Sequence, residues 1–242
     1  MLDLARSRCD VLVASIYVNP LQFGPEEDLD TYPRDLLGDT RKCTDHGVDV
    51  LFMPETLYVP DHSTRVSVVG LTDRLCGSDR PGHFEGVTTV VCRLFGLVQP
   101  HLAVFGEKDF QQLAVIRRMV KDLALTVEVV GGPLIRDDDG VALSSRNAHL
   151  STDGRRQARS LHQALFAMRE AVLDGERSAD TVKALGRGAL EVDELDYLDI
   201  VEPTNLASVD RLNGPAHALV AARVGSTRLI DNLSLITGAE AT

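Results

Sequence analysis

The segment Val11-Leu-Val-Ala-Ser-Ile-Tyr-Val18 does most to limit what this chain can become. It is apolar and rich in β-branched residues, carries no charge, and is stopped by Asn19-Pro20. A strand with one wet face alternates polar and apolar residues, whereas a strand covered on both faces does not, and covered strands belong to parallel sheets flanked by helices. Shorter runs at Val48–Met53, Leu102–Phe105 and Val127–Val130, with a stretch of helical period at Asp109–Leu123 among them, repeat the pattern and predict an α/β fold. Ligands of such folds collect outside the carboxyl ends of the strands. The polar residues after Val18, after Phe105 and after Ile135 therefore carry most weight as site candidates.

At roughly 150 residues per domain, 242 residues make one large domain or two small ones. The texture changes near Leu150. Ser151 can cap a helix whose apolar positions Ala158, Leu161, Leu165, Met168 and Val172 step by three or four and end near Gly175. A second helix at Ala179–Leu190 and strand-like runs at Leu195–Val201 and Ala218–Val224 follow. The expectation is a first domain over residues 1–134 and a smaller α+β domain over residues 135–242, with the boundary between Pro133 and Asn147.

Composition excludes several classes. The net charge of −11 repels a phosphate backbone in bulk, so nucleic acid is not an expected partner, and an anionic substrate must be met by a local basic pocket. No run approaches the ~20 apolar residues of a membrane span and no signal-peptide pattern opens the chain, which gives the expectation of a cytoplasmic protein without membrane contact. The four cysteines, Cys9, Cys43, Cys76 and Cys92, are far apart and read as buried apolar side chains rather than a disulfide framework or a zinc site. Asn232-Leu-Ser234 is a formal glycosylation triplet, read as chance in the absence of a signal peptide.

Three short segments can carry chemistry. In Phe105-Gly106-Glu107-Lys108-Asp109-Phe110-Gln111-Gln112 a glycine allows close approach and the helix start offers unpaired N–H groups. Lys108 can meet a phosphate and Asp109 a magnesium ion. Spacing alone also allows an ordinary helix start with a solvated lysine. Asn19-Pro20-Leu21-Gln22-Phe23-Gly24 presents two neutral amides suited to a hydroxy acid, or simply ends a strand. Ser144-Ser145-Arg146-Asn147 can clasp a polyphosphate, or form a capped turn. Arg80-Pro81-Gly82-His83-Phe84 adds a cation or an incidental loop. Asp137-Asp138-Asp139-Gly140 reads as a turn, because three adjacent carboxylates do not converge on one ion. No G-x-S-x-G, Walker loop, G-x-G-x-x-G or H-E-x-x-H is present.

In order along the chain, V-N-P-L-Q-F-G, Y-P-R (Tyr32 to Arg34), R-P-G-H-F-x-G-V (Arg80 to Val87), F-G-E-K-D-x-Q-Q-L (Phe105 to Leu113) and S-S-R-N resemble the pantothenate synthetases, the pantoate–beta-alanine ligases. Asp196–Val201 and Thr227–Asn232 fit the family's C-terminal domain. The resemblance implies a Rossmann-like parallel sheet of the nucleotidylyl-transferase superfamily, a smaller α+β lid domain and a homodimer. It further implies ATP and magnesium, a pantoyl adenylate formed with release of pyrophosphate, and attack by beta-alanine to give pantothenate and AMP. Carried over by position, Gln22 and Gln112 bind pantoate, with Asn19, Tyr32 and Arg80 beside them. Gly106, Glu107, Lys108 and Asp109 hold ATP, with Lys108 on phosphate and Asp109 on the metal. Ile135 lines the adenine site, Leu143, Ser144, Ser145 and Arg146 close on the phosphates, and Lys108 and Arg146 serve catalysis.

The family also opens with a strand and a loop M-G-x-L-H-x-G-H that carries its catalytic histidine, and no such string occurs here. The expectation is thus an N-terminally truncated chain, its first strand and histidine loop missing, with catalysis impaired by about 10²- to 10³-fold for one lost donor. The alternative is a truncated paralogue that only binds nucleotide or pantoate. Leu143 stands for a usual methionine, Cys76 for a common glutamate and Gly38 for a common acidic residue.

Overall fold

The computed structural model describes residues 1–25, 27 and 29–236. The chain divides into two compact units, Met1–Glu107 with Gln111–Pro133, and Lys108–Phe110 with the chain from Leu134 onward. Among the described residues no helix is long and apolar enough to cross a membrane.

The first unit runs α1 (Leu2–Arg6), β1 (Val13–Ser15), a 3-10 turn at Pro20–Gln22, α2 (Leu36–Asp45), β2 (Val50–Phe52), α3 (Cys76–Asp79), α4 (His83–Val98) and β3 (Leu102–Gly106). The rest of it is α5 (Phe110–Asp122), from Gln111 on, and β4 (Glu128–Gly132). β1 pairs in parallel with β2, Val13 opposite Val50, and β3 in parallel with β4, Leu102 opposite Glu128. The apolar run at 11–18 yields a strand of only three residues. Its pairing ends where Ile16 N–H donates to Phe52 O at 3.0 Å, and the chain then turns at the Asn19 cap.

The expectation of a missing first strand and histidine loop is corrected by these elements. The first strand is β1, and a histidine-bearing loop from His46 to Asp49 joins α2 to β2. Its anchors are polar. Asp49 accepts from the Leu12 amide and from Arg6 Nη1, both at 2.7 Å, and His46 Nδ1 lies 2.5 Å from Asp3 Oδ1.

α4 and α5 carry the core of this unit. α4 buries Phe84, Val87, Val90 and Val91, and α5 buries Leu113, Ile116 and Met119, the three- and four-residue steps of a helix with one covered face. Thr88 is buried within α4 and donates to Phe84 O at 2.8 Å, so its hydroxyl costs no unpaired polar group.

The second unit places α6 (Thr152–Leu173) and α7 (Ala179–Gly188) with an antiparallel sheet in the order β5 (Glu194–Val201), β6 (Ala216–Val224), β7 (Thr227–Ile236). Ser151 Oγ accepts from Gly154 N–H at 3.0 Å and caps α6. Alternate β6 residues Ala216, Ala218, Val220, Ala222 and Val224 join Leu161, Leu165, Met168 and Val172 of α6 in one core, as period-two side chains on a covered face must. The third strand, β7, is not among the strands expected from the sequence. Asp231-Asn232 in its middle disguises it, and both residues are buried.

One close approach fixes the loop after β1. A Cβ on Gly86 of α4 would lie 2.2 Å from Leu21 O and 2.5 Å from Gln22 N, both main-chain atoms. Gly86→Ala should therefore lower stability by about 1–3 kcal/mol, read as a fall in the urea midpoint at unchanged m-value. An unshifted midpoint would contradict the packing.

Candidate active site

In the first unit the two motifs N-P-L-Q-F-G and R-P-G-H-F-x-G-V build one structure. Asn19 is buried and every position of its amide is engaged. Its Nδ2 donates to Gly86 O at 3.0 Å and to Gln22 Oε1 at 3.2 Å, and its Oδ1 accepts from Leu21 N–H at 3.3 Å and Tyr58 O–H at 2.8 Å. Burial, reinforced by Tyr17, pushes the Tyr58 phenol up to about 12, so this group stays a donor. Gln22, with its Oε1 held, has no hydrogen-bond partner for Nε2 among the described residues.

The Gln22 carbonyl is held as well. His83 Nδ1 is 2.8 Å from it and His83 Nε2 is 3.0 Å from Arg80 Nη1. A carbonyl only accepts and a guanidinium only donates, so the ring is neutral with its proton on Nδ1. Arg80 grips Glu27 with two parallel bonds of 2.7 and 2.6 Å. Burial alone would raise the Glu27 carboxyl, but the Arg80 hydrogen bond and charge outweigh it and hold the group below its usual range. Arg80 is thereby neutralised within the protein. Tyr32 packs edge-on against Phe23, ring centroids 5.8 Å apart.

Gln111 and Gln112 behave oppositely. Gln111 is buried and accepts from Cys76 N–H at 3.0 Å while donating to Leu71 O and Arg74 O at 2.9 and 2.8 Å. These bonds hold a loop in which Leu75 takes φ 54°, a conformation costly for a residue with a Cβ. Gln112, the residue singled out from the sequence, is only partly buried, and no hydrogen bond of its side chain is found among the described residues. The role of Gln111 escaped sequence reasoning because two adjacent glutamines carry no sign of which one faces inward.

In the second unit Lys108, Asp109 and Phe110 form a tight turn, with Lys108 Nζ 3.8 Å from Asp109 Oδ1. Phe110 stacks flat on His217, centroids 3.8 Å apart at 9°. Gly106 and Glu107 fall in the first unit. Ile135 and Leu143 face each other across a hairpin, Leu143 N–H donating to Ile135 O at 2.9 Å, and both side chains are about half exposed. The Asp137–Gly140 turn closes that hairpin, with Gly140 at φ 91°. Arg155 pairs with both Asp137 and Asp139 and holds the Asp139 carboxyl below its usual range. Ser144 Oγ accepts from Arg146 N–H at 3.3 Å and caps the 3-10 turn Ser145–His149.

No group of three His, Cys, Asp or Glu is placed to hold a metal among the described residues. Magnesium needs no such cage, since it is held by one or two carboxylates with the phosphates of a substrate, and the half-exposed Asp109 carboxylate fits that role.

The model of the family described as pantoate-beta-alanine ligase matches residues 1–234. This chain belongs to that family. It is 53% identical to a pantothenate synthetase of Syntrophotalea carbinolica over 232 residues, 94% of this chain and 82% of that protein. The crystal structure of pantothenate synthetase from Thermus thermophilus superposes with a TM-score of 0.94 at 49% identity, covering 98% of this chain and 87% of that one. A pantoate-beta-alanine ligase from Francisella tularensis, complexed with beta-gamma ATP and beta-alanine, gives 0.77 at 29% identity over 98% of this chain and 84% of its own. The expectation of a truncated relative is corrected by these matches, which take in 98% of this chain against the Thermus thermophilus structure.

Burial holds two histidines of this ligase below their usual range, His217 by desolvation and His162 by desolvation with Arg136 nearby. Each is neutral in the fold at a pH where the unfolded chain is already protonated, so the unfolded state binds more protons and stability falls as pH drops below about 6.5. Replacing His162 with Gln should flatten part of that slope in melting temperature against pH. An unchanged slope would refute the assignment.

Proposed function

We propose that the clamped Gln22 and its neighbours hold pantoate, and that the turn at Lys108 and the segment from Ile135 hold ATP. The chain is an acid–amine ligase that joins pantoate to beta-alanine at the expense of ATP, giving pantothenate. The observation that carries this assignment is the clamping of Gln22. Its amide oxygen is taken by Asn19, its carbonyl by His83, and its amide nitrogen is left to donate.

A carboxylate is a poor acyl donor until one oxygen can leave with a good leaving group. The pantoate carboxylate oxygen attacks the α-phosphorus of ATP, the bond to the bridging oxygen breaks, and pyrophosphate departs. The beta-alanine amine then attacks the acyl carbon of the pantoyl adenylate, a proton leaves the nitrogen, and AMP departs with the electron pair of the broken C–O bond. The first step brings two anions together, which fixed positive charge and oriented dipoles must offset.

In this reading Gln22 and Gln112 orient pantoate through its hydroxyl and carboxylate, and Tyr32 packs beside them. Asn19 and Arg80 act through Gln22 and Glu27. Lys108 stabilises the phosphate charge that grows as pyrophosphate leaves, with Gly106 and Glu107 shaping its turn. Arg146 with Ser144 and Ser145 contributes further donors to the phosphates, and Ile135 and Leu143 offer an apolar edge to adenine. Magnesium, when bound at Asp109, neutralises phosphate charge. Residues 1–134 serve as the ATP- and pantoate-binding domain and 135–242 as the C-terminal domain, and the working form is a cytoplasmic homodimer.

Lys108→Ala should slow pyrophosphate release in a single turnover by about 10²- to 10³-fold while the chain stays folded, with a melting temperature within about 5 °C of the parent, a destabilisation on the order of 1 kcal/mol. Loss of stability in step with activity would oppose a role at phosphate. Gln22→Ala should raise the KM for pantoate and leave that for ATP unchanged, separating the two halves.

A further inference from the structure

We propose that Asp231 and Asn232, neighbours on β7, are the positioning residues of the nucleotide half of this site. The idea rests on the assignment of Lys108 and of the segment from Ile135 to ATP. Neither residue touches the reacting groups in that assignment, and each fixes one of the segments that does.

Asn232 holds the Lys108–Phe110 turn. Its Nδ2 donates to Lys108 O at 2.9 Å, and its Oδ1 lies 2.8 Å from His217 Nε2. The orientation of the amide is forced. Lys108 O can only accept, so the nitrogen must face it, which leaves Oδ1 for His217 and puts the imidazole proton on Nε2. The same imidazole lies flat on the Phe110 ring. The main chain before Asp109 is thus fixed by a hydrogen bond and the side chain after it by a stacked ring, through one pair of β-sheet residues.

Asp231 holds the second segment. Its two oxygens accept from Arg136 Nη1 and Nη2 at 2.7 and 2.9 Å, the bidentate geometry that gives direction as well as energy. Arg136 also donates to Gly140 O at 3.0 Å and to Asn232 O at 3.3 Å. It therefore ties the hairpin that starts at Ile135 to the same point of β7. Two consecutive residues of one strand set the main-chain positions of the lysine proposed for phosphate and of the hairpin proposed for adenine and phosphate. A purely structural strand has no need of a polar pair at its centre, where both side chains are almost fully buried.

The test compares Asn232→Ala, His217→Phe, Lys108→Ala and the double variant Lys108→Ala with Asn232→Ala in steady-state assays varying each substrate. Asn232→Ala should lower kcat/KM for ATP about tenfold, near the value of one lost hydrogen bond, with the KM values for pantoate and beta-alanine within about twofold of the parent. His217→Phe, which keeps a ring on Phe110 but no donor for Asn232, should show a smaller loss confined to ATP. On the Lys108→Ala background the second substitution should cost nothing further, since both act through one group. Equal rises in all three KM values, or full additivity, would overturn the proposal. Should Asn232→Ala not fold, the ATP-confined loss in His217→Phe decides alone. A large effect of Lys108→Ala beside none for Asn232→Ala sinks this inference only, whereas no ATP effect of Lys108→Ala removes the assignment beneath it.

Discussion

A buried primary amide has two donors and two acceptor positions to fill, and Asn19 fills all four inside the protein. An unfilled position would cost about 1–3 kcal/mol, so the four partners hold one another as much as they hold Asn19. They come from the Pro20–Gln22 turn, from α4 and from the segment after β2. Gly86 lets the turn lie against α4 with main chain nearly touching main chain. The loop after β1 is thereby rigid where a loop is usually mobile, and the one amide group left over, Gln22 Nε2, has a fixed direction. Preorganisation of this kind matters for a reaction that must hold a small hydroxy acid in line with a phosphorus atom.

Charge is handled in a similar way. The chain carries a net −11 yet binds substrates that are themselves anions. Arg80 reads from the sequence as a source of positive charge, but it is gripped by Glu27, as Arg136 is by Asp231 and Arg155 by the Asp137–Asp139 pair. Their job is to shape segments. The short turn at Lys108 carries the charge proposed for phosphate. Asp109 sits at 3.8 Å from its ammonium, beyond hydrogen-bond distance, and no side-chain hydrogen bond takes up the ammonium's donors among the described residues.

Much of this is legible in the sequence. The α5 and α6 helices follow from apolar steps of three and four, the α6 start from Ser151, and the parallel pairs from runs without alternation. Less legible was anything decided by contacts distant in sequence. α4 is hidden by glycines and threonines at Gly86, Thr88 and Thr89, which lower local helix preference and make sense only once Leu21, Val66 and Phe84 supply their neighbours. β1 is shorter than its apolar run because the Asn19 cap, and not hydrophobicity, decides where the chain turns. Motif resemblance offered candidate site residues without saying which of them the protein itself engages. Asn19 and Gln22 belong to one string, yet one is wholly spent on the protein and the other only half.

The Asp231-Asn232 pair shows why a local reading fails where function is built. Propensity disfavours both residues in a strand, and burial makes both costly unless paired. β7 forms all the same because Arg136, His217 and Lys108 O are there to meet them, and those partners reach their places only when the sheet has closed. Completion of the strand and shaping of the nucleotide segments are therefore a single event. A strand with leucines at both positions would satisfy every local rule of a strand, but it would leave the mostly buried Arg136 guanidinium without its carboxylate, and removing one partner of a buried ion pair is costly. It would also release the hairpin from Ile135 and the turn at Lys108 from their common anchor. The polar pair weakens the strand as a strand and, on the proposed assignment, holds the nucleotide segments in place, which is the pattern expected where stability and activity draw on the same residues.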